Sequence, residues 1–183
     1  MNRRHMLKLV GGGLVVGVGG PLLPVNAFAA VAAQTSGARR LAFLNTHTGD
    51  RFSEAYWENG AYVPGAMAEI KHVMRDHRSN ETHDIDPRML DQLHQLNGLV
   101  GAAAPYQIIS GYRSPATNAM LHENSDGVAT HSLHMEGRAI DIRMQGVELA
   151  RLRDAARSMN AGGVGYYQAS DFIHVDSGRV RRW

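Results

Sequence analysis

The residues with the types and spacing to do chemistry are His134 and Asp141, in the segment Ser132–Asp141 (SLHMEGRAID), and His174, in FIHVD at 172–176. Two imidazoles and a carboxylate could converge on one divalent metal. Three protein ligands leave a position open for water, which is the arrangement of metal hydrolases. Asp141 sits between Ile140 and Ile142, so on a strand it faces away from both. A carboxylate at the centre of a short apolar strand is costly unless it is paired, hydrogen-bonded or bound to a cation. An ion pair with Arg138 or Arg143 is the alternative to a metal. His134 lies seven residues before Asp141, across Gly137, and a glycine there allows the sharp turn that would return His134 to Asp141. Alternation places Phe172, His174 and Asp176 on one face of their strand.

These residues need a scaffold, and the chain supplies an α+β order of elements, with a small antiparallel sheet flanked by helices. Leu41–His47 and Phe52–Trp57 flank Thr48-Gly49-Asp50 and predict a β-hairpin. Pro64 opens a helix to about Arg78, with Met67, Ile70 and Met74 on one face. Asp86-Pro87 caps a second helix, marked by Met89, Leu90, Leu93, Leu96 and Val100. Tyr106–Ser110 is a strand, Ser114-Pro115 caps a short helix to about Leu121, and Arg138–Met144 is a strand. Val147–Met159 is an amphipathic helix stopped by Gly162-Gly163, and Val164–Tyr167 and Phe172–Asp176 are the last strands.

The N-terminus differs from the rest. Arg3-Arg4 precede a Gly-rich apolar run from Leu9 to Leu23, then Ala27-Phe28-Ala29, a small-residue cleavage pattern. Residues 1–29 read as a twin-arginine export signal, 30–40 as a flexible mature N-terminus and 41–183 as the functional domain. A retained membrane anchor is the alternative, but six glycines fall between residues 11 and 20, and no stable membrane span is expected after signal cleavage. Arg3, Arg4 and Lys8 are the signal's only charges besides the chain terminus. Removing them from the 19 Lys and Arg leaves 16 against 17 Asp and Glu. The mature domain is therefore near neutral, and its composition gives no support to a nucleic-acid partner. The chain has no cysteine, which excludes disulfides, thiolate metal ligands and a Cys nucleophile.

The pattern S-x-H-x-x-G-x-A-x-D at 132–141 resembles the signature of the M15 superfamily of zinc D-Ala-D-Ala carboxypeptidases and endopeptidases. With S-G-Y-R-S-P-x-T-N at 110–118, G-V-G-Y-Y at 163–167 and F-I-H-V-D-S-G-R-V-R-R-W at 172–183, the chain is similar to the DUF882 branch. The resemblance implies a Hedgehog/DD-peptidase-like fold, Zn²⁺ held by His134, Asp141 and His174, and a substrate-facing Arg113. It also implies a periplasmic enzyme acting on peptidoglycan stem peptides, at cross-links to meso-diaminopimelate. Many M15 enzymes carry a general-base Glu three residues before the last zinc His. Here Asp171 holds that place, and the adjacent Trp of the family pattern is missing. Asp171 is the first candidate for the base and Asp176 the second, with Asp176 also suited to orienting a ligand. His131 and Glu136 are further options. Two other functions fit the same pattern: a D-Ala-D-Ala carboxypeptidase, and a non-catalytic, zinc-containing peptidoglycan-binding module.

Overall fold

A computed structural model describes residues 37–125 and 127–183. The expected signal and residues 30–36 lie outside the described residues. The chain forms one eight-stranded sheet in the order β3-β2-β1-β4-β5-β7-β6-β8. Its strands are β1 (Arg39–Asn45), β2 (Arg51–Glu58), β3 (Ala61–Tyr62), β4 (Tyr106–Ser110), β5 (Ala139–Met144), β6 (Gly163–Tyr167), β7 (Phe172–Asp176) and β8 (Arg181–Arg182). Among the described residues four α-helices accompany them: α1 (Pro64–Val73), α2 (Pro87–Val100), α3 (Pro115–Glu123) and α4 (Leu149–Ser158). The α+β class is the one the sequence implies. The sheet is larger than expected and mixed, because β1 pairs parallel with β4 and β6 parallel with β8, while the other neighbours are antiparallel.

Period-two patterning sorts the two faces of the sheet. Leu41 and Phe43 of β1, Tyr106 and Ile108 of β4, Ile140 and Ile142 of β5, and Ile173 and Val175 of β7 belong to one core with Ile70, Met89, Leu90, Leu93, Leu96, Leu152 and Ala156. The helices α1, α2 and α4 cover this face. Burial of each large side chain contributes roughly 1.5–3 kcal/mol. The opposite face carries Asp141, His174 and Asp176, so the core fixes the strands while leaving the polar row for chemistry.

Both sequence-marked caps form. Asp86 accepts from the Arg88 backbone N–H at 3.0 Å, and Ser114 Oγ accepts from the Thr117 N–H at 3.2 Å. Helix α1 stops at Val73, short of Arg78. The Met74 carbonyl is taken by the Tyr112 N–H at 2.7 Å. The Asp76 carboxylate turns to the N–H groups of Arg78 and Ser114, each at 2.9 Å. These contacts divert the backbone from the helical ladder and tie the end of α1 to the Ser110–Ser114 segment.

Candidate metal centre

His134 lies on a single 3₁₀ turn, Leu133–Glu136, and its own N–H donates to the Ser132 hydroxyl at 3.3 Å. Gly137 ends the turn at φ 63°, and a Cβ there would collide with the Asp84 carbonyl. Glycine is therefore required twice over, for its backbone angle and for the close approach. The turn folds back so that the Arg138 N–H donates to the Leu133 carbonyl at 3.0 Å and β5 begins at once. The imidazole Nδ1 meets the Gly111 carbonyl at 2.7 Å. The His134 carbonyl accepts from the Arg113 N–H at 3.1 Å, locking the S-G-Y-R segment to the same turn.

Asp141 on β5 and His174 on β7 are direct cross-strand partners. His174 Nδ1 lies 2.9 Å from Asp141 Oδ1 and 3.2 Å from His134 Nε2, and the third side of the triangle is 3.3 Å. The tautomers follow from the outer partners. A carbonyl oxygen accepts only, so His134 Nδ1 carries its proton. The second nitrogen of His174, Nε2, meets the Asp176 carboxylate at 2.9 Å and carries its proton there. In their neutral forms both rings would aim lone pairs at each other and at Asp141 Oδ1, an acceptor, so the convergence calls for a cation, a proton on His174 or a metal ion. Ligands at about 2.0–2.1 Å around a tetrahedral zinc stand about 3.3 Å apart, the size of this triangle. His134, Asp141 and His174 are the one cluster of metal-ligand side chains at this spacing among the described residues, and all three are buried.

The electrostatics agree. Burial alone would raise Asp141, but His134 and His174 more than offset it and hold its carboxyl well below the usual range. Burial would depress His174, and the carboxylates of Asp141 and Asp176 instead push it up to about 9. At neutral pH without a metal the ring itself therefore holds the cation, with Nδ1–H donating to Asp141 Oδ1, and a metal must displace that proton. Asp176 is fully buried and held low by His174 and the N–H groups of Gly178 and Gly163, against the opposing effect of burial. Its Oδ2 also takes Arg181 Nη2 at 2.8 Å. Asp176 therefore contacts His174 on the ring edge opposite the triangle, where it fixes orientation and tautomer. The buried Arg113 guanidinium stands 3.7 Å from Asp141 Oδ2. It donates to Asn118 and Ser110 at 3.3 Å each, and its Nε has no protein partner among the described residues.

The triangle opens into a cavity of about 460 Å³ that Arg113 and His131 also line. Asp171 does not reach it. A left-handed backbone (φ 53°) ends the 3₁₀ turn Gln168–Ser170 there and directs the carboxylate to Arg143 Nη1 at 2.8 Å, in a separate depression. The family pattern sets an acid three residues before His174, but here the left-handed backbone at that position turns the side chain toward Arg143. Glu136 is engaged by Arg138 at 2.9 Å and does not line the cavity. Sequence reasoning missed Tyr167, Arg181 and Trp183 as lining residues. All three lie in the quoted 163–167 and 172–183 segments, and their aromatic and basic character was the available signal.

Residues 33–183 match the family Peptidase_M15_2, described as peptidoglycan L,D-endopeptidase MepK. The chain is 43% identical over 182 residues to the peptidoglycan L,D-endopeptidase MepK of Escherichia coli K12, covering 100% of this chain and 97% of that protein. The same figures hold for the MepK of Shigella flexneri. A relative from Haemophilus influenzae is 39% identical over 183 residues, covering 100% of this chain and 95% of that protein. With a site of this geometry on a full-length match, the chain belongs to the Peptidase_M15_2 family.

Proposed function

We propose that this protein is a zinc-dependent endopeptidase that hydrolyses peptide cross-links of peptidoglycan. The observation that carries the reading is the convergence of His134 Nε2, His174 Nδ1 and Asp141 Oδ1 at a cavity, with both rings held from behind at their other nitrogen. The relatives' description as peptidoglycan L,D-endopeptidases supports the substrate class. His134, Asp141 and His174 would hold the metal. When bound, zinc supplies a Lewis acid for the scissile carbonyl and lowers the pKa of water toward about 7. Asp176 keeps His174 in the tautomer that presents Nδ1. Arg113 holds the outer oxygen of Asp141 and offers a cation to a substrate carboxylate or to the developing oxyanion. The proton-accepting role goes to His131, the cavity-lining member of the candidate set. Residues 1–29 would export the protein by the twin-arginine route to the periplasm, where peptidoglycan lies. Among the described residues no helix is long and apolar enough to cross a membrane.

The test is incubation of zinc-loaded protein with murein sacculi, with and without chelator, followed by analysis of released muropeptides. Loss of cross-linked dimers that chelator prevents is the expected result. Cleavage confined to terminal D-Ala would make it a carboxypeptidase. A second reading, a peptidoglycan-binding module, draws on one observation: neither Asp171 nor Asp176 presents a carboxylate to the cavity. Zinc-loaded protein that sediments with sacculi and leaves every cross-link intact would establish it.

A further inference from the structure

Trp183 lies beside the metal row although nothing in the ligand pattern points to it. Residue 165 on β6 is the cross-strand partner of His174 and is a glycine. A Cβ at Gly165 would come within 2.6 Å of the Trp183 indole. The ring thus occupies the space a side chain would take, with its centroid 5.3 Å from that of His174. It is held from several sides. The Trp183 N–H donates to the Val164 carbonyl at 3.3 Å, and its backbone oxygen accepts from the Tyr166 N–H at 3.0 Å. Indole Nε1 donates to the Tyr167 hydroxyl at 2.8 Å, and Arg181 lies 5.0 Å from the ring centroid. Tyr167 in turn stacks on Phe172, with centroids 4.6 Å apart. Trp183, Tyr167 and Phe172 all line the metal cavity, and Trp183 remains 45% exposed. The result is a rigid apolar wall next to a ligand, with an open face. A core role would have buried that face, and a tryptophan left half open at a polar site has surface to give to a ligand.

We infer that Trp183 is a specificity-determining residue: its indole, backed by Tyr167 and Phe172, packs against the methylene chain of the diamino acid flanking the scissile bond. This rests on the peptidase reading. An aliphatic chain ending in charged groups suits the site, because the wall offers planar apolar surface while Arg113 and Arg181 line the same cavity. Gly165 is part of the device, since any larger residue there displaces the indole.

Steady-state cleavage of a purified cross-linked muropeptide dimer by zinc-loaded protein, W183A, W183F and G165A tests this. W183A and G165A are expected to raise KM about tenfold, with a smaller change in kcat and full zinc content. W183F is expected to recover KM to within about threefold. A KM for W183A within twofold of the parent overturns the proposal, and so does a loss of kcat and zinc together, which marks a purely structural role. A second measurement does not need turnover. The chain has two tryptophans, so W57F reports Trp183 alone. A saturable change in its emission on adding the isolated stem tetrapeptide is expected, and none overturns contact. If the parent protein cleaves no cross-link at all, the peptidase reading fails while the emission titration still decides the wall.

Discussion

Replacing Asp176 by Asn tests the reasoning about tautomers most directly, because it removes one charge and almost no volume. Oδ1 of Asp176 accepts from the N–H groups of Gly163 at 3.0 Å and Gly178 at 2.8 Å and from Arg181 Nη1 at 3.1 Å. Oδ2 accepts from His174 Nε2 at 2.9 Å and Arg181 Nη2 at 2.8 Å. Every partner is a donor. An amide must point its NH₂ at one of the two sets. The Gly163, Gly178 and Arg181 set is the more demanding, so the carbonyl stays there and the NH₂ meets His174. His174 Nε2 must then accept, which moves its proton to Nδ1, the atom that faces Asp141 and His134. The lone pair offered to a metal is lost unless the ring gives up that hydrogen bond. Loss of such an outer partner costs 10–100-fold in metal affinity, or about 1.4–2.7 kcal/mol. The mismatch against Arg181 adds about 1–3 kcal/mol of instability. Competition with a chromophoric chelator measures the first quantity and urea denaturation of the metal-free protein the second. A D176N protein that binds zinc within about twofold of the parent would refute the assignment of Nδ1 as the ligand atom.

Other outcomes follow from the same geometry. D171N removes an exposed ion pair with Arg143 and should cost at most about 1 kcal/mol of stability. It should retain zinc and cross-link cleavage within several-fold, and a loss of a hundredfold or more would return Asp171 to the base role. Burial, the stacked His47 ring at 3.8 Å and the nearby Arg78 push His77 down to about 4. Between that value and its ordinary 6.5 the unfolded chain binds more protons, so stability should fall as pH drops from about 6.5 toward about 4. H77Q should flatten this part of the urea-denaturation profile, and an unchanged slope would contradict the placement. G137A forces a Cβ at φ 63° into the Asp84 carbonyl. It should destabilise the fold by more than about 1 kcal/mol and weaken zinc binding, whereas an unaltered melting temperature with full zinc content would show that the turn tolerates a side chain.

By itself the sequence determined the class of the fold, the positions of its main elements and the three metal-ligand candidates. The reason is local. Asp86 and Ser114 act within three residues of themselves. The alternation of Ile140, Asp141 and Ile142, with Asp141 buried on the polar face, is a property of a single strand. Gly137 announces its own turn. What the sequence left open depends on contacts between distant segments. Helix α1 stops early because Tyr112, far along the chain, takes the Met74 carbonyl. The parallel pairings of β1 with β4 and β6 with β8 bring together strands that no local pattern links. The direction of the Asp171 carboxylate, toward Arg143, is set by a left-handed backbone that the family spacing does not encode. The division of labour between Asp176 and the triangle, and the indole of Trp183 filling the space above Gly165, exist only once β5, β6 and β7 are in register. Spacing along the chain can name the ligand types, but which ring nitrogen faces the metal, and what stands behind the other, is decided by packing between strands.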